Sequence, residues 1–182
     1  MQYRLIRSNR KTIGLEIREG GLIVRAPQRA SAEEIEKAIQ AHWNWIQEHM
    51  RKSRERMEST AGIRPLTNEE LQELGQRAAK YLPARIREYA ARLGVNPSRV
   101  TIRAQRTRWG SCSSKGSLNF NCLLMLTPPE VIDSVVVHEL CHLIEMNHSA
   151  RFYREVYRVF PEYDRWHGWL REHQAELLAR LG

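Results

Sequence analysis

The sequence predicts an α+β fold: a small antiparallel or mixed sheet packed on a helix that carries an HExxH motif, preceded by an N-terminal β-hairpin sheet and helix. Three observations predict it. Apolar and polar residues alternate over the first thirty positions and again between residues 100 and 126, the period of strands. Other segments repeat their apolar residues every three or four positions, as helices do. Capping boxes, Ser31 to Glu34 and Thr67 to Glu70, mark where two of those helices begin.

In chain order, Tyr3 and Leu5, then Ile13, Leu15 and Ile17, then Leu22, Val24 and Ala26 read as a small antiparallel sheet with Gly20-Gly21 as a hairpin turn. Ser31 opens a helix whose stripe, Ile35, Ala38, Ile39, Trp43, Ile46 and Met50, runs to about Glu58. Trp43 and Trp45 are read there as core or docking residues. Residues 59–65 read as a linker, which divides the chain into an N-terminal part, 1–60, and a core, 61–182.

Thr67 opens the next helix, carried by Leu71, Leu74, Ala78, Leu82, Ile86, Tyr89 and Leu93, with Pro83 expected to kink it and Gly94 to end it. Val100 and Ile102 begin a strand, residues 110–116 turn, and Leu118, Phe120, Cys122, Leu124 and Leu126 alternate as a strand. Thr127-Pro128-Pro129-Glu130 then supplies a capping hydroxyl, proline in the first turn and a capping-box glutamate. Val131, Val135, His138, His142 and Glu145 share one face of the helix that follows, with Asn147 expected to end it. Ser149 caps a further helix that Pro161 stops, and Trp166, Trp169, Leu170, His173, Leu177 and Leu178 mark the buried side of a last one.

The chemistry sits on the capped helix. His138 and His142, four residues apart, point from one face and can grip one cation, and Glu139 lies where a general base for water is needed. A third histidine, His148, falls in the turn between two helices, from which the chain can fold it back toward the ion. It is the expected third ligand, with Glu145, seven residues after His138 on the same face, as the alternative. Three neutral imidazoles would leave a fourth position open for water, and Zn2+ is the expected cofactor, although affinity order alone does not select it.

Composition narrows the setting. No run approaches the roughly 18 apolar residues of a membrane span, and the opening Met-Gln-Tyr-Arg-Leu-Ile-Arg-Ser has no signal-peptide core, so no membrane role and a cytoplasmic location are expected. Three cysteines, Cys112, Cys122 and Cys141, show no disulfide-framework spacing. The net charge of +8 calls for a nucleotide, nucleic acid or acidic polypeptide to be considered as partner. The excess is spread along the chain, with 12 basic against 8 acidic residues in the first sixty and 17 against 13 in the rest. Arg99, Arg103, Arg106, Arg108 and Lys115 form its densest patch, read as a solvated strand face ahead of a phosphate site.

Thr107-Arg108-Trp109-Gly110-Ser111-Cys112-Ser113, Asn119-Phe120-Asn121, Pro128-Pro129-Glu130 and the run from His138 to Phe152 together resemble the YgjP-like metallopeptidases, a bacterial group within the zincin clan. The resemblance extends almost end to end. It implies a zincin-like core over about residues 61–182, zinc on His138, His142 and His148, and Glu139 as the base. Similarity to SprT-type proteases, which act on DNA-bound proteins, is more distant. A metzincin would carry Gly in place of Glu145 and a later methionine beneath the metal, and no methionine follows Met146.

A zinc-dependent peptidase acting on a polypeptide is therefore the expected function, with Leu118–Leu126 as the strand edge that would receive the peptide. Arg108, Trp109 and Asn121 are expected to contact substrate, and Tyr153, Tyr157 and His167 are the candidates for stabilising an oxyanion. Two alternatives remain. One is a metal-dependent nucleoside triphosphate pyrophosphatase, an activity ascribed to some similar proteins, although no GxxxxGK[ST] loop occurs. The other is a protease associated with nucleic acid.

Overall fold

The computed structural model describes residues 2–18 and 20–182. It is a mixed α+β structure whose internal contacts separate two compact units, Met1–Gly62 and Ile63–Gly182.

In the first unit the strands β1 (Tyr3–Ser8), β2 (Gly14–Arg18) and β3 (Gly21–Pro27) form a sheet in the order β1-β3-β2. β2 and β3 are the expected antiparallel hairpin, and Gly20 between them takes φ 72°, a left-handed conformation that costs glycine little. β1, however, runs parallel to β3, so the sheet is mixed and not antiparallel throughout. The helical stretch is also divided, into α1 (Ala32–Ala41) and α2 (Trp43–Thr60), because His42 leaves helical geometry at φ −114° and ψ 19°. Ile46 is buried beside Ile35, Ile39, Leu22, Val24 and Ala26, which are the core of this unit.

In the second unit the capping box of Thr67 and Glu70 starts α3 (Asn68–Leu93), and Gly94 ends it at φ 71°. α3 continues as one helix of 26 residues through Pro83. Strands β4 (Arg99–Arg103), β5 (Gly110–Cys112) and β6 (Ser117–Asn121) follow, ordered β4-β6-β5, with β4 parallel and β5 antiparallel to β6. The alternation from Leu118 to Leu126 is strand only as far as Asn121. Cys122–Leu126 coils into a 3-10 helix, with the Asn121 side chain accepting from the Leu123 amide at 3.1 Å. Thr127 serves that turn, donating to the Leu124 carbonyl at 2.8 Å, so it does not cap the next helix.

α4 (Pro129–Cys141) is the axis of the unit. Val131 to Val137 are all buried, as is Leu140, which is what a helix apolar on every side requires. α3 covers one flank through Leu74, Ala78, Leu82 and Ile86, and β6 supplies Leu118 and Phe120. Each buried Leu, Ile or Phe among these contributes about 1.5–3 kcal/mol by leaving water. One polar pin crosses this packing. Arg85 of α3 grips Asp133 of α4 with two bonds, 2.7 and 2.5 Å long, and the Tyr89 hydroxyl donates to the same carboxylate at 3.2 Å. Helices α5 (Ala150–Val159), capped by Ser149, and α6 (Tyr163–Ala179) close the unit.

Candidate metal centre

α4 ends at Cys141, earlier than its apolar pattern suggests, and His142 is its C-terminal cap. The chain then tightens: the amides of Leu143 and Ile144 reach back three residues to Leu140 and Cys141. His138 in the last turn and His142 at the cap still present Nε2 atoms 3.2 Å apart. The turn that follows brings exposed His148 back so that its Nε2 lies 3.0 Å from that of His138. Among the described residues these three form a group whose ligand atoms all lie within 4.8 Å of one another.

The second nitrogens of His138 and His142 are held separately. His142 Nδ1 is 3.2 Å from the Glu145 carbonyl, and because a carbonyl only accepts, that nitrogen carries the proton and Nε2 keeps its lone pair. His138 Nδ1 lies 2.7 Å from the Tyr163 hydroxyl. Phe152, fully buried on α5, has its ring centre 5.0, 4.7 and 4.9 Å from those of His138, His142 and His148, so one apolar side chain floors the whole group. Glu145 thus contributes its backbone and stands outside the ligand group.

Burial governs the electrostatics. It drives His138 down to about 3, helped by His142, His167 and His148, and it lowers His142 as well. Rings that resist protonation keep lone pairs available to a cation. Burial also pushes the Glu139 carboxyl up to about 8. Glu139 is only 6% exposed and leans on the backbone of β5 at Gly110.

The other residues expected at the site separate into distinct places. Asn121 is fully buried, and its amide donates to the carbonyls of Gln105 at 2.7 Å and Arg108 at 2.9 Å. Those bonds fasten the loop before β5, leaving no surface for a substrate, which corrects the expected contact. Arg108 is exposed, whereas Trp109 packs against the core with its Nε1 buried and unpartnered among the described residues. The expected receiving edge at Leu118–Leu126 is not an edge: β6 is the central strand of its sheet, with Leu118–Phe120 paired on both sides, and Cys122–Leu126 is helical. The edges are β4 and β5. Arg99 and Arg103 stand on β4, across the sheet from Glu139 and β5.

The sequence matches the family model described as YgjP-like, metallopeptidase domain, over residues 11–77 and 66–173. The chain belongs to this family. As a YgjP-like metallopeptidase it is an enzyme that depends on a metal and acts on polypeptides, and the three-histidine group is where its residues can hold the ion. Two solved structures of metallopeptidase zymogens are similar to part of it. Abylysin of Pyrococcus abyssi shares 24% identity with a TM-score of 0.46, covering 51% of this chain and 95% of its own. Jannalysin of Methanocaldococcus jannaschii shares 22% with a TM-score of 0.46, covering 51% and 96%. No curated protein matches the sequence. No helix among the described residues is long and apolar enough to cross a membrane.

Two neighbours of the site went unnoticed in the sequence. Tyr163 bonds a candidate ligand from 25 residues away, and Gly110 touches Glu139 from another element. The placement of Gly110 in the run Thr107 to Ser113 that carries the family resemblance was the one available signal for it.

Proposed function

We propose that this metallopeptidase uses zinc held by His138, His142 and His148, with Glu139 as the general base of peptide hydrolysis. The observation that carries this reading is the convergence of three Nε2 atoms. Two nitrogens that share a tetrahedral zinc at about 2.0–2.1 Å stand about 3.3 Å apart, and the spacings of 3.2 and 3.0 Å are close to that. The donors suit the ion too, being three imidazoles, and the rings of His138 and His142 are made weakly basic by burial.

Zinc bound there would polarise the scissile carbonyl and acidify water. Glu139 then takes a proton from the attacking water and passes it to the leaving amine nitrogen. Its low exposure favours the first transfer, because a carboxylate out of water accepts a proton more readily than one in solvent. β5 is the sheet edge beside Glu139, and we place the polypeptide along it as an added strand, its amides meeting the free side of Gly110–Cys112. A cytoplasmic location fits the three free cysteines.

Incubating a denatured-proteome peptide library with zinc-loaded protein and with Glu139→Ala tests the assignment. The wild type should generate new termini, and the variant should bind zinc but generate none. Cleavage by Glu139→Ala at the wild-type rate would remove Glu139 from the mechanism.

A further inference from the structure

Tyr163, at the start of α6, is 2% exposed and brings its hydroxyl to 2.7 Å from His138 Nδ1. We propose that Tyr163 is a positioning residue whose phenol oxygen accepts the Nδ1 proton of His138, holding that ring in the tautomer whose Nε2 lone pair faces His142 and His148. The inference rests on the reading of His138 as a zinc ligand.

A neutral imidazole has one N–H and one lone pair, so whatever fixes Nδ1 fixes Nε2. The site solves this twice, by different means. At His142 the acceptor is the backbone carbonyl of Glu145, supplied by the turn itself. His138 lies within α4, and whereas His49 and His173 bond Nδ1 to the carbonyl four residues back in their own helices, its Nδ1 partner comes from another element, α6. The chemistry of the chosen partner matters. A carboxylate in this position would bring a negative charge to the metal centre, whereas a phenol accepts the proton without one. The ion would then keep its full charge for water and for the Glu139 carboxylate.

Packing limits the ring as well. His167, one turn further along α6, lies nearly parallel to His138, with 5.6 Å between ring centres and 9° between planes, and 4.8 Å from the Tyr163 ring. His167 Nδ1 is buried without a partner among the described residues, so of these two α6 side chains it is Tyr163 that bonds His138. Tyr157 offers an internal contrast. Its hydroxyl is spent on Asp164 at 3.0 Å and touches no ligand.

The test measures zinc affinity by chelator competition for the full-length wild type, Tyr163→Phe and Tyr157→Phe, alongside metal-free melting curves. Tyr163→Phe should bind zinc about 10- to 100-fold more weakly, while Tyr157→Phe keeps wild-type affinity. In the metal-free wild type, where no ion fixes the tautomer, long-range 1H–15N spectra should show the His138 proton on Nδ1, which needs no variant to fold, and in metal-free Tyr163→Phe the proton should spread over both ring nitrogens, a change that a purely structural tyrosine would not produce. Equal affinities for wild type and Tyr163→Phe, or a His138 proton on Nε2, would overturn the proposal. A wild type that takes up no zinc would instead overturn the ligand reading beneath it.

Discussion

Gly110 and Glu139 are in contact so close that a β-carbon on residue 110 would fall 2.5 Å from both Cγ and Oε1 of the glutamate. Glycine is needed there for space. Replacing it with alanine must displace the carboxyl end of Glu139, which is flexible and can move, and leaves α4 and β5 in place. Gly110→Ala should therefore lower kcat/KM by about 10- to 100-fold, the usual cost of misplacing a reacting group by an ångström or less. Zinc stoichiometry and melting temperature should barely change. Equal losses of stability and activity would mean that residue 110 serves the fold instead.

His148 and Glu145 compete on paper for the third ligand position, and the geometry separates them. His148 Nε2 joins the group, whereas Glu145 supplies only its carbonyl to His142. His148→Ala should weaken zinc binding sharply in a chelator titration. Glu145→Ala keeps the carbonyl and should bind like wild type.

Asp133 holds α4 to α3 through Arg85 and Tyr89. Removing its carboxylate leaves the Tyr89 phenol without its acceptor and the Arg85 guanidinium with only Glu88 and the Tyr89 oxygen. Arg85 retains 26% side-chain exposure, so part of its charge returns to water. Asp133→Ala should cost roughly 2–3 kcal/mol in urea denaturation, below the roughly 3–5 kcal/mol for breaking a fully buried pair. An unchanged midpoint would show that the pin contributes nothing net.

Glu70 gives a pH dependence with a definite sign. Its bonds to Arg64 and to the Thr67 amide lower it from the usual 4.5 to about 2. The folded form thus holds its proton less tightly than the unfolded one, and the stability this contributes is present above pH 4.5 and lost as pH falls toward about 2. Melting temperatures of wild type and Glu70→Gln should differ at neutral pH and converge over that window. A constant gap would locate the effect elsewhere.

Local signals in the sequence were reliable where one element suffices. The capping boxes at Ser31 and Thr67, the glycine stop at residue 94 and the cap at Ser149 all form as the residues dictate. The four-residue spacing of His138 and His142 needed only helix geometry, and His148 only a turn. What depends on distant pairing was not legible. That β6 lies between β4 and β5 is a tertiary fact, and its alternating pattern reads the same at a sheet's edge or centre. Asn121 looks like a surface amide until the loop it fastens is seen, and Tyr163 becomes a neighbour of His138 only when α6 packs on α4. His42 breaks a helix whose apolar stripe, Ile35, Ile39 and Ile46, keeps its period across the break, so periodicity alone gives no sign of it.

On the proposed function, three histidine nitrogens from α4 and the turn after it share one zinc ion. X-ray absorption at the zinc edge, on protein reconstituted with one equivalent, tests it most directly. The expected spectrum shows three imidazole nitrogens at about 2.0–2.1 Å with a light atom completing the coordination, and His148→Ala loses that coordination. A sulfur neighbour at about 2.3 Å, or an imidazole count unaffected by His148→Ala, would contradict it.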